Sequence, residues 1–381
     1  MHNRMKKFLQ ENNLDGVLFV GDSICNPDIY YLSRFFSSDN FAILAAEKLT
    51  MLVSSMECGR ATQESRVDRV ISTSDYGIKQ KLMELGKSSL AYNAVLDEFL
   101  RDNDVNRIGV PHGFPAEIFL MLSKKFRVSI VESPISRWRE IKSNQELEAI
   151  ESVQRVCEKA MRQAISLISK SEPRGEYLNC EGQLLSSEEV KSTIDIALLM
   201  EGCEALDIIV AGGNDAVNPH ASGSGPLPSH APIVIDIFPR SKKTRYFADM
   251  TRTVVRGEVD PEIADLYNAV LDAQNAGISA VRAGSNGKEV HSKVCQVFAD
   301  RGYPETQGCG FTHSTGHGVG LEVHERPSLG ETGDALEAGM VVTVEPGLYY
   351  PDLGAVRLED LVVVKPDGCN NLTQFEKRLS I

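Results

Sequence analysis

The chain has 381 residues, of which 42% are hydrophobic and 24% charged, with a formal net charge of −13. That length suits two domains of ordinary size, and the balance is that of a globular protein in water. An acidic chain without a basic block argues against nucleic acid as a partner, and no apolar run approaches the ~18–20 residues that a membrane span requires.

The first residues, MHNRMKKFLQENNLDG, carry positive charge but no apolar stretch or small-residue cleavage site behind it. This predicts no secretion signal and a cytoplasmic location. The cysteines are scattered without a CxxC pair, so they read as free thiols. Through the first ~135 residues, apolar runs at Val17–Val20, Ile43–Leu44, Met51–Val53 and Val128–Val131 alternate with helical segments such as Pro115–Lys125. That alternation predicts an α/β domain over 1–138. It holds no chemical constellation, and His112 stands alone there as a structural or solvated residue.

A boundary is expected near Pro134–Ser143, with a second domain over 139–381. Ser143 and Glu146 have capping-box spacing. Leu147, Ile150, Val153, Cys157, Ala160, Met161 and Ala164 then recur at helical spacing, predicting a long amphipathic helix. Residues 221–230, ASGSGPLPSH, read as a loop. Ala231–Phe238 and Tyr246–Val255 read as the arms of a hairpin joined by a polar turn at Arg240–Arg245. Asp260-Pro261 marks another helix start, and strands are predicted at Met340–Val344 and Ala355–Val364.

Chemistry concentrates in this second half. Asp236 interrupts PIVIDIF, Asp249 interrupts YFADMTRTVV, His317 lies in STGHGVG, Glu345 ends VVTVEPG and Glu359 lies within AVRLEDLVVV. An unpaired carboxylate in an apolar strand costs several kcal/mol, roughly, so one alone would face solvent or an arginine. Four with an imidazole call for a shared counter-charge, and a pair of divalent cations supplies one. Oxygen-rich ligation with one imidazole suits Mn²⁺, Co²⁺, Zn²⁺ or Fe²⁺. On a hairpin of period two, Asp236 and Asp249 can share a face. Arg357 and Glu359 are two apart, which predicts that Arg357 steadies the Glu359 carboxylate. His220, His313 and His324 gather in the same region.

The phrases PHASGSGPL, DIFP…YFADMTRTV, HSTGHGVGLEVHE, LEAGMVVTVEPGLY and AVRLEDLVVV arrive in one order from about residue 140 onward. In that order they resemble the pita-bread metallopeptidases, specifically the branch of Xaa-Pro aminopeptidases and Xaa-Pro dipeptidases (prolidases). YYLSRF and RWREIKSNQELEAI resemble that family's accessory domain and junction. The resemblance implies an α/β N-terminal accessory domain of creatinase type. Behind it comes an α+β catalytic domain with a curved, mostly antiparallel sheet flanked by helices. It implies two divalent metal ions, Mn²⁺ first among the candidates, with Asp236 on one ion, His317 and Glu345 on the other, and Asp249 and Glu359 bridging. Glu345 would also shuttle the proton of an attacking hydroxide, and His220, His313 and His324 would flank the substrate. The implied substrate is a proline-containing peptide, and the implied assembly a homodimer.

Three departures matter. Twelve residues separate Asp236 from Asp249, more than is usual but by an even number, so side-chain parity is kept. LEAGM stands where a proline commonly precedes the glycine. Ser328 stands where some dipeptidases place an arginine for the substrate's C-terminal carboxylate, with Arg326 close by. The last departure favours an aminopeptidase over a prolidase. A methionine aminopeptidase usually lacks the accessory domain, and creatinase-type or catalytically silent relatives lose ligands that this chain keeps.

Overall fold

The computed structural model describes residues 2–304 and 308–381. It divides into two compact units, Met1–Arg139 and Glu140–Ile381.

The first unit is built on a six-stranded mixed sheet. Its strands are β1 (Gly16–Gly21), β2 (Phe41–Ala45), β3 (Leu49–Val53), β4 (Arg69–Ser72), β5 (Arg107–Pro111) and β6 (Arg127–Val131). They lie in the order β4-β3-β2-β1-β5-β6, with β1, β2 and β3 antiparallel and the flanking pairs parallel. Strands β1 to β3 are almost wholly buried, which is why they read as continuous apolar runs rather than alternating ones. Phe19, Ile43 and Met51 pack into one core and Leu18, Leu44 and Leu52 into another, as period-two alternation requires.

The second unit opens with helix α1 (Asn144–Lys170), closed at its start by the predicted capping box between Ser143 and Glu146. Helix α2 (Ser187–Met200) packs beside it. Both cover one face of a three-stranded antiparallel sheet of β7 (Ile209–Gly212), β8 (Pro232–Ile237) and β9 (Met250–Val255). Cys157, Met161, Ile233, Ile235 and Ile237 share that core, leaving Val234 and Asp236 to the opposite face.

Helices α3 (Pro261–Ala280) and α4 (Gly287–Asp300) follow; α3 is capped by Asp260 with proline at its first position. They flank a five-stranded sheet of β10 (Gly316–Gly318), β11 (Glu325–Leu329), β12 (Val341–Val344), β15 (Asp360–Lys365) and β16 (Gly368–Asn371), in the order β11-β10-β12-β15-β16. Strands β13 (Gly347–Tyr350) and β14 (Gly354–Arg357) form a separate hairpin. The result is the pita-bread arrangement, antiparallel sheets flanked by helices. No helix among the described residues is long and apolar enough to cross a membrane.

Two predicted features differ. The polar turn Arg240–Arg245 carries a short strand, Arg240–Ser241, paired with Cys203–Glu204, because Glu204 binds Arg240 at 2.8 Å and Arg245 at 3.3 Å. The predicted strand Ala355–Val364 is two strands in different sheets. It breaks at Leu358–Glu359, where the Glu359 amide donates to the Thr251 carbonyl of β9 and the Leu358 amide to Pro346.

Candidate functional site

The two sheets deliver the predicted residues to one cavity of about 430 Å³. Asp236 is the penultimate residue of β8 and pairs with Thr251 of β9. Asp249 is two residues before Thr251, so it takes the same side of the sheet as Asp236 despite the long connection. His317 is the middle residue of β10. The neighbouring glycines allow that strand to lie close: a Cβ on Gly316 would meet the Thr343 carbonyl oxygen at 2.1 Å, and one on Gly318 the Arg326 oxygen at 2.3 Å. Glu345 directly follows β12, and its amide donates to the Thr315 carbonyl. Glu359 occupies the break between β14 and β15.

All five line the cavity together with His220, His313, His324 and Arg357. Asp249, His317 and Glu359 each offer a ligand atom, all within 4.8 Å of one another. His317 Nε2 lies 3.1 Å from Glu345 and 3.8 Å from Asp249, while Nδ1 donates to the Gly318 carbonyl at 3.2 Å. That hydrogen bond fixes Nε2 as the nitrogen facing the carboxylates. Asp249 and Glu359 are only 4% and 1% exposed. Oδ1 of Asp236 and Oε1 of Glu359 are buried without a hydrogen-bond partner.

The electrostatics match this crowding. Burial pushes Asp236, Asp249 and Glu359 above the ordinary carboxylate range, Asp249 and Glu359 well above it, and neighbouring carboxylates add to the effect. Burial is the largest influence on Glu345 and acts upward, but the hydrogen bond with His317 and the charges of His317, His313 and Arg357 together outweigh it and leave that carboxyl at about 2. Burial would lower His317, yet Glu345 raises it. Unpartnered buried oxygens beside an imidazole of fixed tautomer form a donor set that fits divalent cations of the harder transition-metal type.

The profile of metallopeptidase family M24 matches residues 148–366. The chain belongs to metallopeptidase family M24. The Xaa-Pro dipeptidase of Pyrococcus horikoshii is 30% identical over 391 aligned positions, which cover 100% of this chain and 99% of that one. The crystal structure of the prolidase from Pyrococcus horikoshii OT3 superposes with a TM-score of 0.81 at 28% identity, covering 99% of each chain. An X-Pro aminopeptidase from Thermotoga maritima gives a TM-score of 0.82 at 25% identity, covering 99% of this chain and 100% of that one. The M24 assignment brings divalent-metal binding and a peptide substrate with it, and the chain falls in the pita-bread Xaa-Pro peptidase branch.

The geometry of this M24 site refines two expectations. Arg357 makes no direct hydrogen bond to Glu359. The strand breaks at Leu358, and the guanidinium donates instead to Asp236 at 2.7 Å, to the Tyr349 hydroxyl at 2.9 Å and to the Pro219 carbonyl at 3.2 Å. It reaches Glu359 only through Thr251, whose hydroxyl donates to Glu359 at 2.7 Å. His313 lines the cavity, but both of its nitrogens are engaged, Nδ1 with the Ser314 carbonyl at 2.8 Å and Nε2 with the Tyr349 hydroxyl at 2.9 Å. Since a carbonyl only accepts, Nδ1 carries the proton, and the Tyr349 hydroxyl donates to Nε2 while accepting from Arg357. Burial lowers His313 below the usual histidine value. His324 is likewise lowered by burial and stacks edge-on against His317 at 4.2 Å. His220 is exposed on the loop before β8, its amide donating to Asn218.

Sequence reasoning passed over Thr251, Tyr349, Thr343 and Asp207. Thr251 has a usable signal, two residues after Asp249 on the same face. Thr343 donates to Glu345 at 3.1 Å and accepts from the His317 amide at 3.0 Å. Its period-two relation to Glu345 carries the same signal. Tyr349 and Asp207 have none, because other segments bring them in.

Proposed function

We propose that this M24 enzyme is a dinuclear-metal exopeptidase that removes the N-terminal residue in front of proline from peptides longer than a dipeptide. One observation carries the preference for longer substrates. Among the described residues lining the cavity there is no lysine, and the single arginine, Arg357, is buried and bound to Asp236. Arg326, the nearby candidate for gripping a dipeptide's C-terminal carboxylate, is paired with Asp334 and with Glu140. Ser328, at the position of the dipeptidase arginine, is uncharged.

In this reading Asp236, Asp249, His317, Glu345 and Glu359 hold the cations. When bound, the cations make a shared water acidic and polarise the scissile carbonyl. Glu345, whose Oε1 accepts from Thr343, accepts a proton and returns it to the departing proline nitrogen. That nitrogen belongs to a tertiary amide and has no N–H of its own. Neutral His324 at the cavity wall donates to the substrate's developing oxyanion. His313, fully engaged by Ser314 and Tyr349, orders the wall through the Arg357–Tyr349 chain. Residues 1–138 would serve as the accessory domain and 139–381 as the catalytic one.

The dipeptidase reading is favoured by the name of the Pyrococcus horikoshii relative. Chelator-stripped protein, reloaded separately with Mn²⁺, Co²⁺ and Zn²⁺, separates the two on matched Xaa-Pro dipeptides and Xaa-Pro-Xaa tripeptides, with Met-Ala peptides as controls. Faster tripeptide cleavage supports the aminopeptidase; the reverse preference makes the chain a prolidase. No cleavage with any cation turns the reading toward a silent member of the family. A homodimer, expected from the resemblance, should elute near twice the 41.9 kDa of one chain.

A further inference from the structure

Five carboxylates line the cavity, and four of them, Asp236, Asp249, Glu345 and Glu359, belong to the proposed metal ligands. The fifth, Asp207, differs from them in every respect that matters. It is exposed, and among the described residues no ion pair or hydrogen bond engages its carboxylate. It stands two residues before Ile209, which also lines the cavity and pairs directly with Asp236 across β7 and β8. Because β7 and β8 are antiparallel, stepping back from Ile209 to Asp207 runs in the direction that leads from Asp236 to Phe238, another lining residue.

Asp207 lies just before β7, which begins at Ile209; extended chain there would set it one side-chain repeat, ~6–7 Å, outward from the level of Asp236. An exopeptidase substrate whose scissile carbonyl lies at the metal ligands carries its α-ammonium two bonds from that carbonyl carbon, about 2.5 Å away. A charge-assisted hydrogen bond adds ~2.8 Å. Together these span ~5.3 Å, about 1–2 Å short of that repeat, a difference within the reach of an aspartate side chain.

We infer that Asp207 recognises the free N-terminal ammonium of the peptide and so restricts the enzyme to chain ends. Ile209, Phe238 and Val323 form the apolar wall beside it, which suits an uncharged first side chain. This inference rests on the exopeptidase reading and adds a residue outside the metal ligand set.

The test is steady-state kinetics of metal-loaded wild type, Asp207→Asn and Asp207→Glu on Ala-Pro-Ala, with propionyl-Pro-Ala, which lacks the ammonium, as a competing ligand. Loss of a charged hydrogen bond predicts a KM for Asp207→Asn raised roughly 10- to 100-fold, with kcat within about twofold. Asp207→Glu should recover most of that loss. The inhibition constant of propionyl-Pro-Ala should be the same for wild type and Asp207→Asn within about twofold. An unchanged KM, or equal weakening of both ligands, overturns the assignment. Failure of wild type itself to cleave any Xaa-Pro peptide overturns the exopeptidase reading instead.

Discussion

Arg357 and Asp236 form a buried ion pair, Nη2 to Oδ2, at 2.7 Å. The pair ties β14 to β8 and leaves the other Asp236 oxygen bare and buried. The guanidinium satisfies one oxygen, and in the proposed ligand set the second would be the one to meet a cation. Arg357→Met should therefore cost ~3–5 kcal/mol in chelator, the usual penalty for stranding a buried charge. The loss should shrink when Mn²⁺ is present, because a bound cation replaces the missing charge. Urea unfolding with and without Mn²⁺ measures both, and equal losses would show that the pair does not serve a metal ligand.

Glu345 joins ligation to proton transfer in the proposed mechanism. Glu345→Gln keeps the shape of the side chain while removing its charge and basicity. It should lower kcat by about 10²–10⁴, with the far-ultraviolet circular dichroism unchanged. Retained activity on Xaa-Pro peptides would remove Glu345 from the chemistry.

Cation binding should be visible without any substrate. A ligand at 100 times its dissociation constant stabilises by about 2.7 kcal/mol, so Mn²⁺ should raise the melting temperature of chelator-stripped protein. Asp249→Asn removes one of the three residues whose ligand atoms cluster within 4.8 Å, and most of that rise should vanish. An undiminished rise would place the stabilising ion elsewhere.

A pH effect is expected in the first unit. The Asp15 carboxylate accepts hydrogen bonds from the Arg107 side chain and from the Asn106 and Arg107 amides, and the Arg107 side chain is the main reason its pKa lies below the ordinary value. A depressed carboxylate stabilises the fold above its unfolded value of about 3.9, and that contribution fades as pH falls through the folded value. Asp15→Asn should cost ~1 kcal/mol near neutrality, and its melting curve should converge with that of wild type as pH drops below about 3.9. A gap constant over that range would exclude the charge as its source.

The elements that local rules control were legible in the chain. The helix behind Ser143 follows from its capping box and apolar period, and β1 to β3 from apolar runs. The five chemical residues stood out because each is a charge, or an imidazole among glycines, where burial is costly. Period two also placed Asp236 and Asp249 on one face, since parity survives a longer connection.

Which groups meet depends instead on how distant segments pack. Arg357 turns to Asp236 because the chain leaves its strand at Leu358, a break set by hydrogen bonds from Glu359 to Thr251 and from Leu358 to Pro346. Tyr349 enters the site only because β13 and β14 fold as a hairpin of their own, which lets its hydroxyl join Arg357 to His313. Asp207 reaches the cavity through the pairing of β7 with β8. These are contacts between residues distant in the chain, and no local periodicity encodes a partner that the backbone supplies from another sheet.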